Sequence, residues 1–310
     1  MAHIVFVHGL DNKPESGYLH QLWKRKLGHD NGPDLDANGV SGSMVYWADV
    51  FYPEPDTNLA AYERAIGDIE LCAGPLHPWA ADGGSPEELA RVRRLAERCG
   101  VDLSAPGALE PAAEEIAAVQ QERVPVPSWL RYRVMARLVR DAHHYFFNLE
   151  TTPRTAARYR ARDEIRRRFV EALRAGDARR PLIAVTHSMG TMIAYDCLKH
   201  VADCPPLDGL ITVGSPLGLD EVQDFYPSWS KDDGFPSERL QGPWVNVYDP
   251  LDVVAGLQPR LAPDFRRRGD PVVADVREDN WGTWRHSISK YLQGQSLRGH
   301  VSRMLDLDWP

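Results

Sequence analysis

The residues able to do chemistry in this 310-residue chain sit at the ends of short apolar runs. One run leads into Thr186-His187-Ser188-Met189-Gly190, and a helical pattern, "TMIAYDCLKHV", follows directly. A serine on so tight a strand-to-helix turn presents its hydroxyl for attack on an acyl carbonyl. Small residues two before and two after it relieve the crowding. Gly190 meets the second requirement, whereas Thr186 stands where glycine is usual and brings a branched Cβ toward the neighbouring strand. The alternative reading of Ser188 is an ordinary N-cap of the helix that follows.

A hydroxyl is a weak nucleophile, so it needs a base, a group that orients the base, and backbone donors for an oxyanion. Each has candidates. "VFVHGL" places His8-Gly9 and then Leu10 after a strand, a common turn but also the setting of an oxyanion loop; Leu10 would supply one N–H and Met189 the other. His8 itself reads as a loop-packing residue. "WVNVYDPLDVVAG" offers Asp249 at a strand end and Asp252 three residues on, either of which also suits a turn. "NWGTWRHSISKYL" presents His286 at the mouth of a short helix, with His300 in "RGHVSRM" as a competitor.

These groups need a scaffold. The strand "HIVFVHG", the helix "YLHQLWKRKL" and the strand "SMVYWADV" open the chain. From Tyr52 to Thr152 no strand is convincing; helical patches such as "LAAYERAIGDIEL", "PEELARVRRLAERC" and "WLRYRVMARLVRDAHHYFF" are separated by Pro/Gly clusters. A charged helix, "RYRARDEIRRRFVEALRAG", then ends on Gly176, and the strands "LIAVTH", "GLITVG", "WVNVY" and "PVVADV" follow, interleaved with helices or loops. Apolar strands alternating with helices imply a parallel sheet covered on both faces. The expected organisation is a core of residues 1–51 and 153–310 with a helical cap inserted at 52–152.

The order strand–His-Gly, strand–Ser–helix, strand–Asp and finally His resembles the α/β-hydrolase superfamily. "VTHSMGTMIAYD", "ITVGSPLGL", "WVNVYDPLDVVA" and "HSISKYL" are similar to bacterial lipase- or esterase-like members, over residues 1–50 and 158–310. The resemblance implies a mainly parallel six-stranded sheet flanked by helices, without the antiparallel N-terminal strands of larger members. It implies a serine esterase acting on carboxylic esters, lipid or small acyl, with no cofactor. Ser188 would be the nucleophile, His286 the base and Asp252 the acid, since Asp252 holds the second-aspartate position of a P-x-D-x-V turn; Asp249 is the alternative acid. Two other functions stay open: an inactive member that binds a ligand or partner, and an acyltransferase using the same triad. The insertion precedes the elbow strand, whereas lids in this superfamily usually follow the next strand, which leaves open whether the cap moves.

The remaining features mainly exclude. A formal net charge of −8 argues against a nucleic-acid binder. No apolar run approaches the ~20 residues of a membrane span. The N-terminus lacks a basic region and reads as a strand instead of a signal peptide. The four cysteines, Cys72, Cys99, Cys197 and Cys204, show no metal-ligand spacing, and a cytoplasmic protein with reduced thiols is expected, a Cys72–Cys99 bridge being the alternative. Asp34, Asp36, Asn38 and Gly39 match half a calcium loop, but Val45 stands where a bidentate Glu is required, so a polar turn is expected. His143 and His144 are helix neighbours about 100° apart, which suits packing better than metal binding with Asp141. The nearby Trp129, Tyr132, Tyr145, Phe146 and Phe147 read as core, or as an acyl groove if they face Ser188. The arginines from Arg158 to Arg168 read as a solvated helix face. Ser215, a second serine after a strand, is followed by Pro216 and a loop, and reads as a strand-end residue.

Overall fold

Apolar residues run unbroken from Ile4 to Val7 in the first strand, β1 (His3–Val7), because the sheet it joins is covered on both faces. Ile4 and Phe6 point to one side and Val5 and Val7 to the other. The computed structural model describes residues 1–66, 85–104, 111–121, 125–154 and 157–309. After β1 come helix α1 (Ser16–Gly28), β2 (Ser41–Val45) and the short α2 (Leu59–Glu63). Helices α3 (Pro86–Cys99), α4 (Ala113–Gln120) and α5 (Ser128–Phe146) follow, then a hairpin of β3 (Glu150–Arg154) and β4 (Ala157–Arg160). Helix α6 (Ala161–Gly176), β5 (Leu182–His187), α7 (Met189–His200) and β6 (Gly209–Val213) carry the alternation forward. The C-terminal part holds α8 (Asp220–Gln223), β7 (Trp244–Tyr248), the two-residue β8 (Arg266–Arg267) and β9 (Asp270–Pro271), β10 (Val273–Arg277), α9 (Ile288–Gln293) and α10 (Gln295–Leu305).

Six strands form one sheet in the order β10-β7-β6-β5-β1-β2, every neighbouring pair parallel. This is the α/β architecture expected from the alternation. The chain steps outward from β1 to β2 on one side and from β5 through β6 and β7 to β10 on the other. The strand order therefore reverses between β1 and β5, and the carboxyl ends of those two strands flank the crevice where open α/β sheets place ligands. His8-Gly9-Leu10 and Ser188 lie at those two ends.

One face of the sheet packs on α1 and the C-terminal helices, with Phe6 edge-on to Trp23 at 5.4 Å between ring centroids. The other packs on α6, α7 and the helices of residues 86–146; Val92, Leu95, Leu130 and Val134 share a hydrophobic cluster with Val5 and Val7 of β1. Helix α3 is bounded locally. Ser85 Oγ accepts the Glu88 N–H, the Glu88 carboxylate accepts the Ser85 N–H at 2.6 Å, and Gly100 stops the helix at φ +70°. No helix among the described residues is long and apolar enough to cross a membrane.

Three stretches differ from the sequence reading. The helical patch "LAAYERAIGDIEL" is helical only over Leu59–Glu63, and the chain turns at Ala65, whose φ is +62°. "SMVYWADV" is not one strand: β2 stops at Val45 and Ala48–Val50 forms a 3-10 turn. The cause is His8, whose Nε2 accepts the Trp47 N–H at 3.0 Å while the Trp47 indole donates to the His8 carbonyl at 3.1 Å, drawing the chain across the end of β1. The charged helix begins at Ala161 and not Arg158, because residues 157–160 pair with β3. The boundary leaves Asp163 and Glu164 in the first turn of α6, where carboxylates suit the helix dipole. Cys72, the end of "LAAYERAIGDIEL" and most of the Pro/Gly cluster after it lie outside the described residues.

Candidate active site

Between β5 and α7 Ser188 is the sole linking residue, at φ +53° and ψ −127°. A residue with a Cβ reaches such a backbone at a cost of about 1–3 kcal/mol, so the surroundings must hold it. Its N–H donates to Val213 O at 3.0 Å, and its carbonyl accepts from the Thr191 N–H and hydroxyl at 2.9 and 2.7 Å. The hydroxyl makes no cap bond to α7. Its oxygen lies instead 3.0 Å from His286 Nε2, so the N-cap alternative does not describe this serine.

Glycine provides the space around the turn. A Cβ on Gly190 would come 2.5 Å from His8 O and 2.7 Å from Val7 O, so α7 approaches β1 only with glycine there. A Cβ on Gly9 would meet the Ser188 Cβ at 2.8 Å. Thr186, where glycine was expected, is wholly buried and its hydroxyl donates to Ile211 O at 3.3 Å.

His286 Nδ1 lies 2.8 and 2.9 Å from the two carboxylate oxygens of Asp252. A carboxylate only accepts, so the ring proton sits on Nδ1 and Nε2 is left to accept the Ser188 O–H. Asp252 Oδ1 also takes the N–H groups of Val254 and Ala255 at 2.8 and 3.1 Å, and Oδ2 takes the Tyr291 hydroxyl at 2.9 Å. Burial pushes the Asp252 pKa up, but the His286 ring and these donors outweigh it and hold the carboxyl below its ordinary value.

Asp249 has different partners. Its carboxylate accepts from Leu251 N, Asn280 N and Arg285 Nη1 at 2.8, 2.8 and 2.9 Å, and its own N–H donates to the Tyr291 hydroxyl at 2.9 Å. It ties the turn carrying Asp252 to the segment carrying His286 and does not contact the imidazole.

Two neighbours of Ser188, His286 and Asp252 were not singled out from the sequence. His187 donates from Nε2 to the His286 carbonyl at 2.9 Å, with ring centroids 4.7 Å apart. Burial first, and then His286, lower its pKa well below the ordinary imidazole value, so it is a neutral strut. Gly214, at φ +57°, ends β6 beneath the pair; a Cβ there would stand 3.1 Å from Asp252 Oδ2 and 3.3 Å from His286 Nδ1. A glycine closing the run "GLITVG" was the available signal. His8 is buried and stacked on Trp47, its pKa pushed down to about 3 by burial and then by Lys13, which fits a packing residue and not a base.

Neither the Leu10 nor the Met189 N–H has an acceptor among the described residues. Leu10 lines a cavity with Ser188 and His286, walled by Leu19, Leu22, Trp23, Tyr62, Val134 and Trp284. Its free space of about 30 Å³ holds a water or two.

The other candidates lie elsewhere. Ser215 Oγ is 2.7 Å from Thr191 Oγ1 and accepts the Leu217 N–H, which supports the elbow helix. His300 is on α10, outside the cavity wall. Asp34 accepts the N–H groups of Asp36 and Ala37, and Asp36 pairs with Lys24, the polar turn expected. His144 Nδ1 bonds to Arg140 O at 2.8 Å, His143 packs edge-on to Phe147, and Phe146 stacks on Phe225 at 4.7 Å. Among the described residues no three metal-binding side chains cluster. The arginine run is less solvated than expected: Arg166 pairs with buried Asp196, and Arg168 with Asp49 and Tyr46 O. Cys99, Cys197 and Cys204 are buried free thiols. No family model and no curated protein sequence matches the chain.

Proposed function

We propose that the chain is a serine esterase of the α/β-hydrolase type, acting on carboxylic esters through an acyl-enzyme. The observation that carries this reading is the unbroken bonding from Ser188 Oγ through His286 to Asp252, with the serine on a strained turn at the strand-order reversal. In this mechanism His286 takes the hydroxyl proton as Ser188 attacks, and Asp252 holds the imidazole and offsets its developing charge. The Leu10 and Met189 N–H groups take the oxyanion, His286 returns the proton to the leaving alcohol, and water then repeats the sequence on the acyl-enzyme. The apolar side chains in the cavity wall suit the hydrocarbon part of an acyl group.

The test is hydrolysis of p-nitrophenyl acetate by the purified chain and by Ser188→Ala. The variant should lose at least about 10⁴-fold in kcat while keeping its circular dichroism spectrum. A folded Ser188→Ala protein with undiminished turnover would exclude Ser188 as nucleophile.

A further inference from the structure

We infer that helix α5, within the stretch expected to be a cap, is a fixed part of the oxyanion site, and that its Asp141 is a positioning residue for the loop after β1. This rests on the esterase reading above. The loop turns at Asp11, whose φ of +71° is a backbone that a side-chain-bearing residue does not keep unaided. The peptide joining Leu10 to Asp11 is gripped at both poles. Its N–H, from Asp11, donates to Asp141 Oδ2 at 3.2 Å, and its carbonyl, from Leu10, accepts from Lys13 Nζ at 2.7 Å. Rotation of this peptide breaks both bonds, and the adjoining peptide carries the Leu10 N–H assigned to the oxyanion.

The grip is itself supported. Arg137 Nε of α5 pairs with Asp11 Oδ2 at 2.6 Å, and the Tyr52 hydroxyl donates to Asp11 Oδ1 at 2.8 Å. Arg140 holds Asp141 Oδ1 through Nε and Nη2 at 2.8 and 2.6 Å, and also bonds the Tyr52 hydroxyl. Asp11, Lys13, Arg137 and Asp141 are each at most 5 % exposed. Lifting α5 off the loop would strand buried charges without partners, which is strongly unfavourable. Val134, one turn before Arg137, stands in the cavity wall beside Ser188. Helix α5 is therefore a wall whose charges shape the loop, and any opening of the site is left to other elements.

The experiment compares the full-length wild type with Asp141→Ala and Asp141→Asn, using p-nitrophenyl acetate turnover and the rate of phosphonylation by a fluorophosphonate. Asp141→Ala should lower kcat and the phosphonylation rate about 10- to 100-fold, somewhat less than outright loss of an oxyanion donor, with KM within about threefold. Asp141→Asn, which keeps an oxygen for the Asp11 N–H but turns its amide NH2 toward the Arg140 donors, should recover part of that loss. A folded Asp141→Ala protein with wild-type kcat overturns the inference while leaving the esterase reading intact. A folded wild type that neither turns over nor is labelled defeats the esterase reading and the inference with it. Should Asp141→Ala fail to fold, the structure of the wild-type phosphonyl adduct decides. The Asp11–Asp141 bond should persist with the phosphonyl oxygen on Leu10 N, and an adduct with α5 swung away from the loop overturns the inference.

Discussion

Asp249 and Asp252 share one turn, and the structure gives them opposite work. Asp252 faces the His286 ring, whereas Asp249 joins two loops through Asn280 and Arg285. Asp252→Asn should therefore cut kcat by about 10³–10⁴-fold with little change in melting temperature, because an amide can present an N–H to Nδ1 and so favour the wrong tautomer. Asp249→Asn should instead cost about 2–4 kcal/mol of stability in a urea titration, since it leaves the Arg285 guanidinium without its counter-charge. The reverse pattern would exchange the two roles. At this scale the grouping of Ser188, His286 and Asp252 was legible because residue type and chain order single those three out. His187 and Gly214 were not, because a buried strut and a glycine chosen for its missing Cβ look like ordinary strand-end residues until their neighbours in space are known.

The elbow is a contact between two elements, α7 and the end of β1, and Gly190 sets how closely they meet. Gly190→Ala would drive a methyl into the His8 and Val7 carbonyls and force α7 outward, with an expected loss of about 1–3 kcal/mol in stability and a further fall in kcat as Ser188 moves from His286. Unchanged urea midpoint and turnover would contradict the packing described. The strands of the large sheet were readable from their apolar runs, and α3 from its capping residues. The β3–β4 hairpin was hidden by its arginines, which read as the start of a charged helix, and by its exposure on alternate residues, which leaves no apolar run to mark it. The early stop of β2 was hidden because a long-range bond from His8 to Trp47 ends it, not a local turn signal.

For the molecule as a whole, two buried neutral imidazoles, His8 and His187, set a dependence of stability on pH. The ordinary histidine pKa is about 6.5 in the unfolded chain, and His8 falls to about 3 on folding, with His187 shifted in the same direction. Between those values the unfolded chain binds protons that the folded protein refuses. Their contribution is therefore fully present above about pH 6.5 and is lost as the pH falls below it, for His8 toward pH 3 at up to about 1.4 kcal/mol per pH unit, with His187 acting in the same direction. Urea midpoints should drop between pH 7 and pH 5, and His8→Gln should flatten the drop; equal wild-type midpoints at the two pH values would refute this. The parallel sheet was legible from the alternation of strands and helices, but strand order is a long-range property that alternation does not encode. It is the reversal between β1 and β5 that brings residue 10 to residue 188. The central claim is that Ser188 is an activated nucleophile, and intact-mass and peptide-level mass spectrometry after fluorophosphonate treatment test it most directly. The account predicts one adduct per chain, on Ser188 and absent from Ser188→Ala; a folded wild type with no adduct, or with its adduct on another serine such as Ser215, would contradict it.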